Sequence, residues 1–267
     1  MRILQVNTEK TWRGGERQTL YTLEGLASQG IDCQLMTLKG SLMHQKAKAL
    51  DIRVIPVKGM LDTLFKLSKL RKEFDCIHAQ TGKAHTQCVL TKFFHQTPVV
   101  YTRRVDFIPS GFITRFKYRL TNKVVSISNA ISLILAKSGM YGESPIISSA
   151  VKNKKLDIKR ATELKKSLGI QDGTKIIGLV SALESHKDPM TALKVINELK
   201  KSRQDFAVLH FGHGSLFDQV SDTIKTLNLS QIYFQMGHHE NVEDYFSIMD
   251  AFLMTSKEEG LGSSVLD

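Results

Sequence analysis

Short β-branched runs alternate with stretches of helical period along the whole chain, the pattern of βαβ units wound around parallel sheets. Arg2–Val6 reads as a buried strand. After Gly14-Gly15, apolar Leu20, Leu23 and Leu26 recur at helical spacing until Gly30, a glycine stop. Strands are expected at Asp32–Leu38, Arg53–Val57, Asp75–Ala79, Pro98–Thr102 and Lys123–Ile127. Helices are expected between them at Ser41–Leu50, Met60–Glu73, Lys83–His95, Ile113–Leu120 and Ala130–Lys137, with Ser128 placed to cap the last.

The character changes at Ser149–Asp157, which is polar and lysine-rich. A second α/β pattern then opens with helix Ile158–Leu168 and strand Lys175–Leu183. Asp188-Pro189 supplies an N-cap and an N1 proline for a helix to Lys201. Strand Phe206–Phe211, helix Leu216–Leu227, strand Ile232–Gln235, helix Val242–Met249 and strand Ala251–Thr255 complete the pattern. The fold class expected is α/β with two Rossmann-like doubly wound domains, 1–155 and 156–267. Such a sheet usually has about six strands, and the second half shows about four, so the second domain is expected to be incomplete.

Composition narrows the function classes. The formal net charge is +11 and the pI near 9.5, which favours anionic partners such as phosphorylated ligands, anionic lipid or nucleic acid. Three isolated cysteines, Cys33, Cys76 and Cys88, read as reduced core thiols. No apolar run approaches the ~20 residues needed to span a bilayer, and the N-terminus reads as a strand and not as a signal peptide. A cytoplasmic protein is the expectation. No P-loop, G-x-S-x-G elbow or H-E-x-x-H pattern is present; His210, His213, His238 and His239 lack metal-ligand spacing, so no metal and no cofactor is expected.

The most informative stretch is Ser256-Lys257-Glu258-Glu259-Gly260-Leu261-Gly262-Ser263-Ser264-Val265-Leu266-Asp267. It follows a strand and opens a helix, where parallel sheets bind ligands. Gly260 and Gly262 permit close backbone approach, and Glu259 and Asp267 offer carboxylates to sugar hydroxyls. This stretch resembles the E-x7-E signature of glycosyltransferase family 4, with Asp267 in place of the second Glu. Other segments are similar to that family in the expected order. Gly14-Gly15-Glu16-Arg17 resembles its first glycine loop. Asp75-Cys76-Ile77-His78-Ala79 resembles its D-x-apolar-H strand. In Pro98-Val99-Val100-Tyr101-Thr102-Arg103-Arg104, Arg104 stands where the family usually has a histidine. Arginine stays protonated, so Arg103 and Arg104 are read as anion holders and not proton shuttles. Lys187 matches the family's donor-phosphate lysine, while Ala182 stands where an arginine is common. Gly212-His213-Gly214 departs from the family's G-acid-G turn at His213, and Gln235-Met236-Gly237 resembles its base-reading turn.

The resemblance implies a GT-B fold and retaining transfer of a hexose-type sugar from a nucleotide-sugar donor to a hydroxyl acceptor. It implies Glu259, Lys187 and Arg104 as catalytic. Gly14, Gly15, Lys187, Gly212, Gly214, Gly237, Glu259, Gly260, Gly262 and Asp267 are implied to bind donor, and His78, Arg103 and Arg104 to bind acceptor or anion. Charge and family habit suggest a lipid-linked or glycan acceptor of the lipopolysaccharide type and peripheral contact with an anionic membrane; the basic-aromatic Phe112–Leu120 suits either such a surface or core packing with a solvated face. No nucleic acid is expected. A GT-B sugar-nucleotide epimerase, an inactive fragment and a polyanion-binding protein are the alternatives.

Overall fold

The computed structural model describes residues 1–152, 155–257, 259 and 261–266. The chain forms two compact units, Met1–Ala150 and Val151–Asp267. The sequence places the boundary later, after residue 155. The physical link that keeps Ala150 with the first unit is Gln18, whose amide clasps it. Gln18 Nε2 donates to the Ala150 carbonyl at 2.6 Å, and the Ala150 N–H donates to Gln18 Oε1 at 2.8 Å.

In the first unit the order is β1 (Arg2–Val6), α1 (Gly14–Ser28), β2 (Asp32–Leu38), α2 (Leu42–Ala49), β3 (Arg53–Val57), α3 (Met60–Lys69), β4 (Cys76–Ala79), α4 (Gly82–Leu90), α5 (Lys92–His95), β5 (Val99–Arg103), α6 (Phe112–Arg119), β6 (Lys123–Ser126) and α7 (Asn129–Ser138). The six strands form one parallel sheet in the order β3-β2-β1-β4-β5-β6. One face of its centre is apolar and covered by helices, while the other also buries polar Gln5, Thr37 and Thr102. Leu4, Val6, Met36, Ile77, Ala79, Val99 and Val124 are buried in one cluster. The stretch expected as one helix over Lys83–His95 is two, because Thr91 Oγ1 bonds back to the Gln87 carbonyl at 2.8 Å and the chain breaks there.

The second unit runs α8 (Ile158–Ser167), β7 (Lys175–Val180), α9 (Pro189–Ser202), β8 (Phe206–Phe211), α10 (Phe217–Thr226), β9 (Tyr233–Gly237), β10 (Ala251–Phe252) and α11 (Ser263–Leu266). Its sheet is parallel and four-stranded, in the order β10-β7-β8-β9. Asp188 caps α9 through its Oδ1, which accepts from the Thr191 N–H at 3.3 Å, with Pro189 in the first turn. Val242–Ile248 is a 3-10 helix where an α-helix was expected, anchored by Tyr245 stacked on Phe211 at 4.9 Å between ring centroids. Strand β7 ends at Val180, short of the expected Leu183, because residues 181–183 leave the ladder to meet the loop after β8.

Candidate active site

Each unit presents candidate functional side chains at the carboxyl ends of its own strands.

In the first unit, Gly14 and Gly15 form the first turn of α1, and nothing crowds Gly15. A Cβ there would meet only Arg104 Cδ, at 3.8 Å. Glu16 follows and is buried; its Oε2 accepts from the Arg13 N–H at 2.9 Å, and Asn7 Nδ2 donates to its Oε1 at 3.4 Å. Burial raises the Glu16 pKa, opposed by those hydrogen bonds. Arg104 leans over this turn from the end of β5. Its guanidinium donates to Gln80 Oε1 at 3.0 Å and to Ser149 Oγ at 3.4 Å. Burial lowers its pKa to about 10, against the Glu16 carboxylate that favours the charge, so it remains a cation at neutral pH.

Gln80 extends the network inward by donating to Gln5 Oε1 at 2.7 Å. His78, on β4, sits 2.7 Å from Thr102 Oγ1 through Nε2. Burial, with help from the Arg104 charge, depresses its pKa to about 4, so it is a neutral imidazole in the physiological range. The first unit thus brings Gly15, His78 and Arg104 together around Gln80. Gln80 was missed by the sequence reading. Its signal was present: a polar residue just past a buried strand has to find partners inside.

Arg103 is a correction. It is 2% exposed and turned inward, where its guanidinium donates to Tyr118 Oη at 2.7 Å and to the Phe107 carbonyl. It holds α6 to β5, and Arg104 alone stands beside the Gly14-Gly15 turn. Strand parity explains the difference. Tyr101 and Arg103 are two residues apart and face the same buried side.

In the second unit, Lys187 ends the short 3-10 turn Ser185–Lys187 after β7. Its Nζ meets Glu259 Oε1 at 2.5 Å, and Ser256 Oγ donates to the same oxygen at 2.8 Å. The two loops are laced together beside this pair. The Lys257 N–H donates to the His186 carbonyl at 3.0 Å, and Thr255 Oγ1 donates to the Asp188 carbonyl at 2.9 Å. Strands β7 and β10 are neighbours, which is why residues 72 positions apart converge. Both side chains keep partial access to solvent, about a fifth of Lys187 and a quarter of Glu259. Gly260 and Asp267, expected here, lie outside the described residues.

The glycines of the second unit serve the backbone first. A Cβ on Gly212, which has φ +144°, would lie 1.9 Å from the Ser181 carbonyl oxygen. One on Gly214 would lie 2.4 Å from the Leu183 carbonyl oxygen. These two residues let the loop after β8 press onto residues 181–183, where the Leu216 N–H donates to Leu183 O at 2.9 Å. Gly237 takes φ +68° and its carbonyl accepts from the Gly212 N–H at 2.7 Å, closing β9 against the same loop. Gly262 takes φ +64° before α11. His213 stacks on Phe217 at 4.8 Å between ring centroids. His210 is buried against Tyr233 Oη at 2.7 Å, and burial depresses its pKa to about 4. Among the described residues, no three His, Cys, Asp or Glu side chains group as metal ligands would.

Two consecutive α/β units, each wound around a parallel sheet, have the architecture of the GT-B fold. Residues 160–267 match the family described as Glycosyl transferases group 1. That match takes in nearly all of the second unit, Val151–Asp267.

Solved structures agree on the fold. Anabaena Alr3699/HepE, solved in complex with UDP and glucose, superposes with a TM-score of 0.84 at 16% identity, over 100% of this chain and 77% of its own. A glycosyltransferase from Rickettsia africae ESF-5 gives 0.82 at 18% identity, over 99% and 76%. The apo form of the lipopolysaccharide outer core galactosyltransferase WaaB gives 0.71 at 13%, over 100% and 77%. Comparison with curated proteins gave no match.

Proposed function

We propose that this chain is a retaining glycosyltransferase that moves a hexose-type sugar from a nucleotide-sugar donor to a hydroxyl acceptor, in the synthesis of lipopolysaccharide or another cell-surface glycan. The observation that carries the reading is the Lys187–Glu259 pair at 2.5 Å on neighbouring strand ends of a group 1 transferase domain. In this reading the donor diphosphate takes over the Lys187 ammonium, and Glu259, released, accepts hydrogen bonds from the sugar hydroxyls. Lys187 then stabilises the charge that grows on the departing nucleoside diphosphate, an interaction stronger in the transition state than before it. Arg104 and neutral His78, beside the open Gly14-Gly15 turn, orient the acceptor. No metal and no cofactor takes part. That Alr3699/HepE was solved with UDP and glucose supports a nucleotide-sugar donor here.

Contact with an anionic membrane belongs to the same proposal. Helix α6 turns Phe112, Ile113 and Phe116 to solvent, at 84%, 81% and 55% exposure, beside Arg115, Lys117 and Arg119 and no acid. With α4 and α5 it lines an apolar hollow of about 600 Å³ that includes Leu90 and Phe93. Such a surface suits the interface of an anionic bilayer, which would place the protein on a cytoplasmic membrane face. Among the described residues no helix is long and apolar enough to cross a membrane.

The test is a thermal-shift panel of UDP, GDP and ADP with their sugars, repeated on Lys187→Ala and Glu259→Ala. A donor that raises Tm in the wild type and not in the variants is the expected result. No response to any donor would sink the reading. Flotation with anionic liposomes tests the membrane part, and absence of binding at low salt would remove it.

A further inference from the structure

We infer that a second hollow in the first unit is a site for a phosphate-bearing group, the phosphorylated portion of the acceptor. That the ligand is the acceptor rests on the transferase reading; that the hollow binds phosphate does not.

The hollow lies at the carboxyl edge of the six-stranded sheet and has a volume of about 540 Å³, within the range of ligand pockets. Four lysines line it from four separate segments: Lys10 beyond β1, Lys39 directly after β2, Lys58 directly after β3, and Lys83 in the first turn of α4. All four are exposed, so none is explained by packing. Lys83 Nζ leans toward the Thr8 carbonyl at 3.5 Å. Among the described residues, the ammonium groups of Lys10, Lys39 and Lys58 have no ion pair.

One acid lies beside this edge. Asp62 accepts from the Lys58 N–H at 2.8 Å, pairs with Lys66 at 3.3 Å and also feels the Lys58 charge, which leaves Lys10, Lys39 and Lys83 without it. Four like charges around one concavity repel one another and weaken the folded state. A surface shaped only for solubility would intersperse signs instead. A multivalent anion offsets that repulsion, and lysine serves phosphate as a mobile point charge. Carboxyl edges of parallel strands are also where α/β sheets take ligands. The chemistry points to a phosphomonoester or diphosphate, carried either on a soluble sugar or on a lipid.

The experiment measures binding of inorganic pyrophosphate, and of vesicles containing phosphatidic acid, to the full chain carrying Lys187→Gln, which removes the Lys187 ammonium of the second unit. On that background Lys39→Gln/Lys58→Gln is compared with Lys39→Arg/Lys58→Arg and with Lys48→Gln/Lys123→Gln, a pair outside the hollow. The expected result is an affinity loss of about tenfold for the first pair, retention in the arginine pair, and less than twofold loss in the outside pair. Loss in the pyrophosphate arm marks a soluble phosphate; loss confined to vesicles marks a lipid-borne one. Equal losses in the two glutamine pairs, or none in either arm, would overturn the inference. A missing response to UDP in the thermal-shift panel would instead remove only the transferase reading.

Discussion

The two sets of site residues are built on opposite plans. In the first unit, Glu16, His78, Gln80 and Arg104 form a mostly buried polar network whose members hold one another. In the second, Lys187 and Glu259 form a half-open ion pair, and the glycines nearby in the fold serve the backbone of residues 181–183. Buried networks lock geometry and are costly to break. Partly exposed pairs contribute little to stability and are free to change partners. The first unit's residues are therefore bound to their fold, and the second unit's pair is free to change partners.

The largest effect expected of a single change tests the glycine scaffold. Gly212→Ala sets a Cβ against the Ser181 carbonyl at a backbone angle that L residues rarely adopt, and should cost roughly 3 kcal/mol, read as a shifted urea midpoint. A wild-type midpoint would mean that the loop is not packed as described. Next, Lys187→Ala should lower donor-dependent turnover about 100-fold, as loss of a transition-state cation does, while Tm moves by only a degree or two. A large fall in Tm would instead make the pair structural and erase the contrast.

The buried network responds to pH. His78 has a folded pKa near 4, below its usual 6.5, so the unfolded chain binds more protons between those values. Its contribution is intact above pH 6.5 and is lost as pH falls toward 4. From pH 7 to pH 5 that is about 2 kcal/mol. His78→Gln should lessen the slope of stability across this window in urea titrations, with His85, His95 and His210 keeping part of it, and an unchanged slope would count against the burial described. The smallest effect belongs to Gly15→Ala. The site is open, so stability should stay within about 0.5 kcal/mol. A fall in acceptor use at constant stability would then assign that glycine to the ligand.

Much of the fold was legible because parallel βαβ units carry strong periodic signals. Six strands in the first half, four in the second, and the caps at Ser128 and Asp188 all follow from local pattern. What stayed hidden depends on contacts distant in sequence. Nothing near Gly212 announces that Ser181 presses on it. The inward turn of Arg103 needed the parity of β5 and the partner Tyr118, fifteen residues away. The lysine-lined hollow was equally silent, because its four residues meet only when β1, β2, β3 and α4 line up side by side. The Lys187–Glu259 meeting was foreseeable only through family resemblance, since the sequence separates them by 72 positions.

The bond from Arg103 to Tyr118 has a mechanical consequence. It ties α6, with its outward aromatic face, to a residue one peptide link from Arg104. If α6 rests on a bilayer, the height of Arg104 above the lipid is set by a rigid bracket and not by a floppy tether. A head group of the wrong length would then stop short of the arginine or overshoot it, so the helix would act as a ruler for what the enzyme can reach.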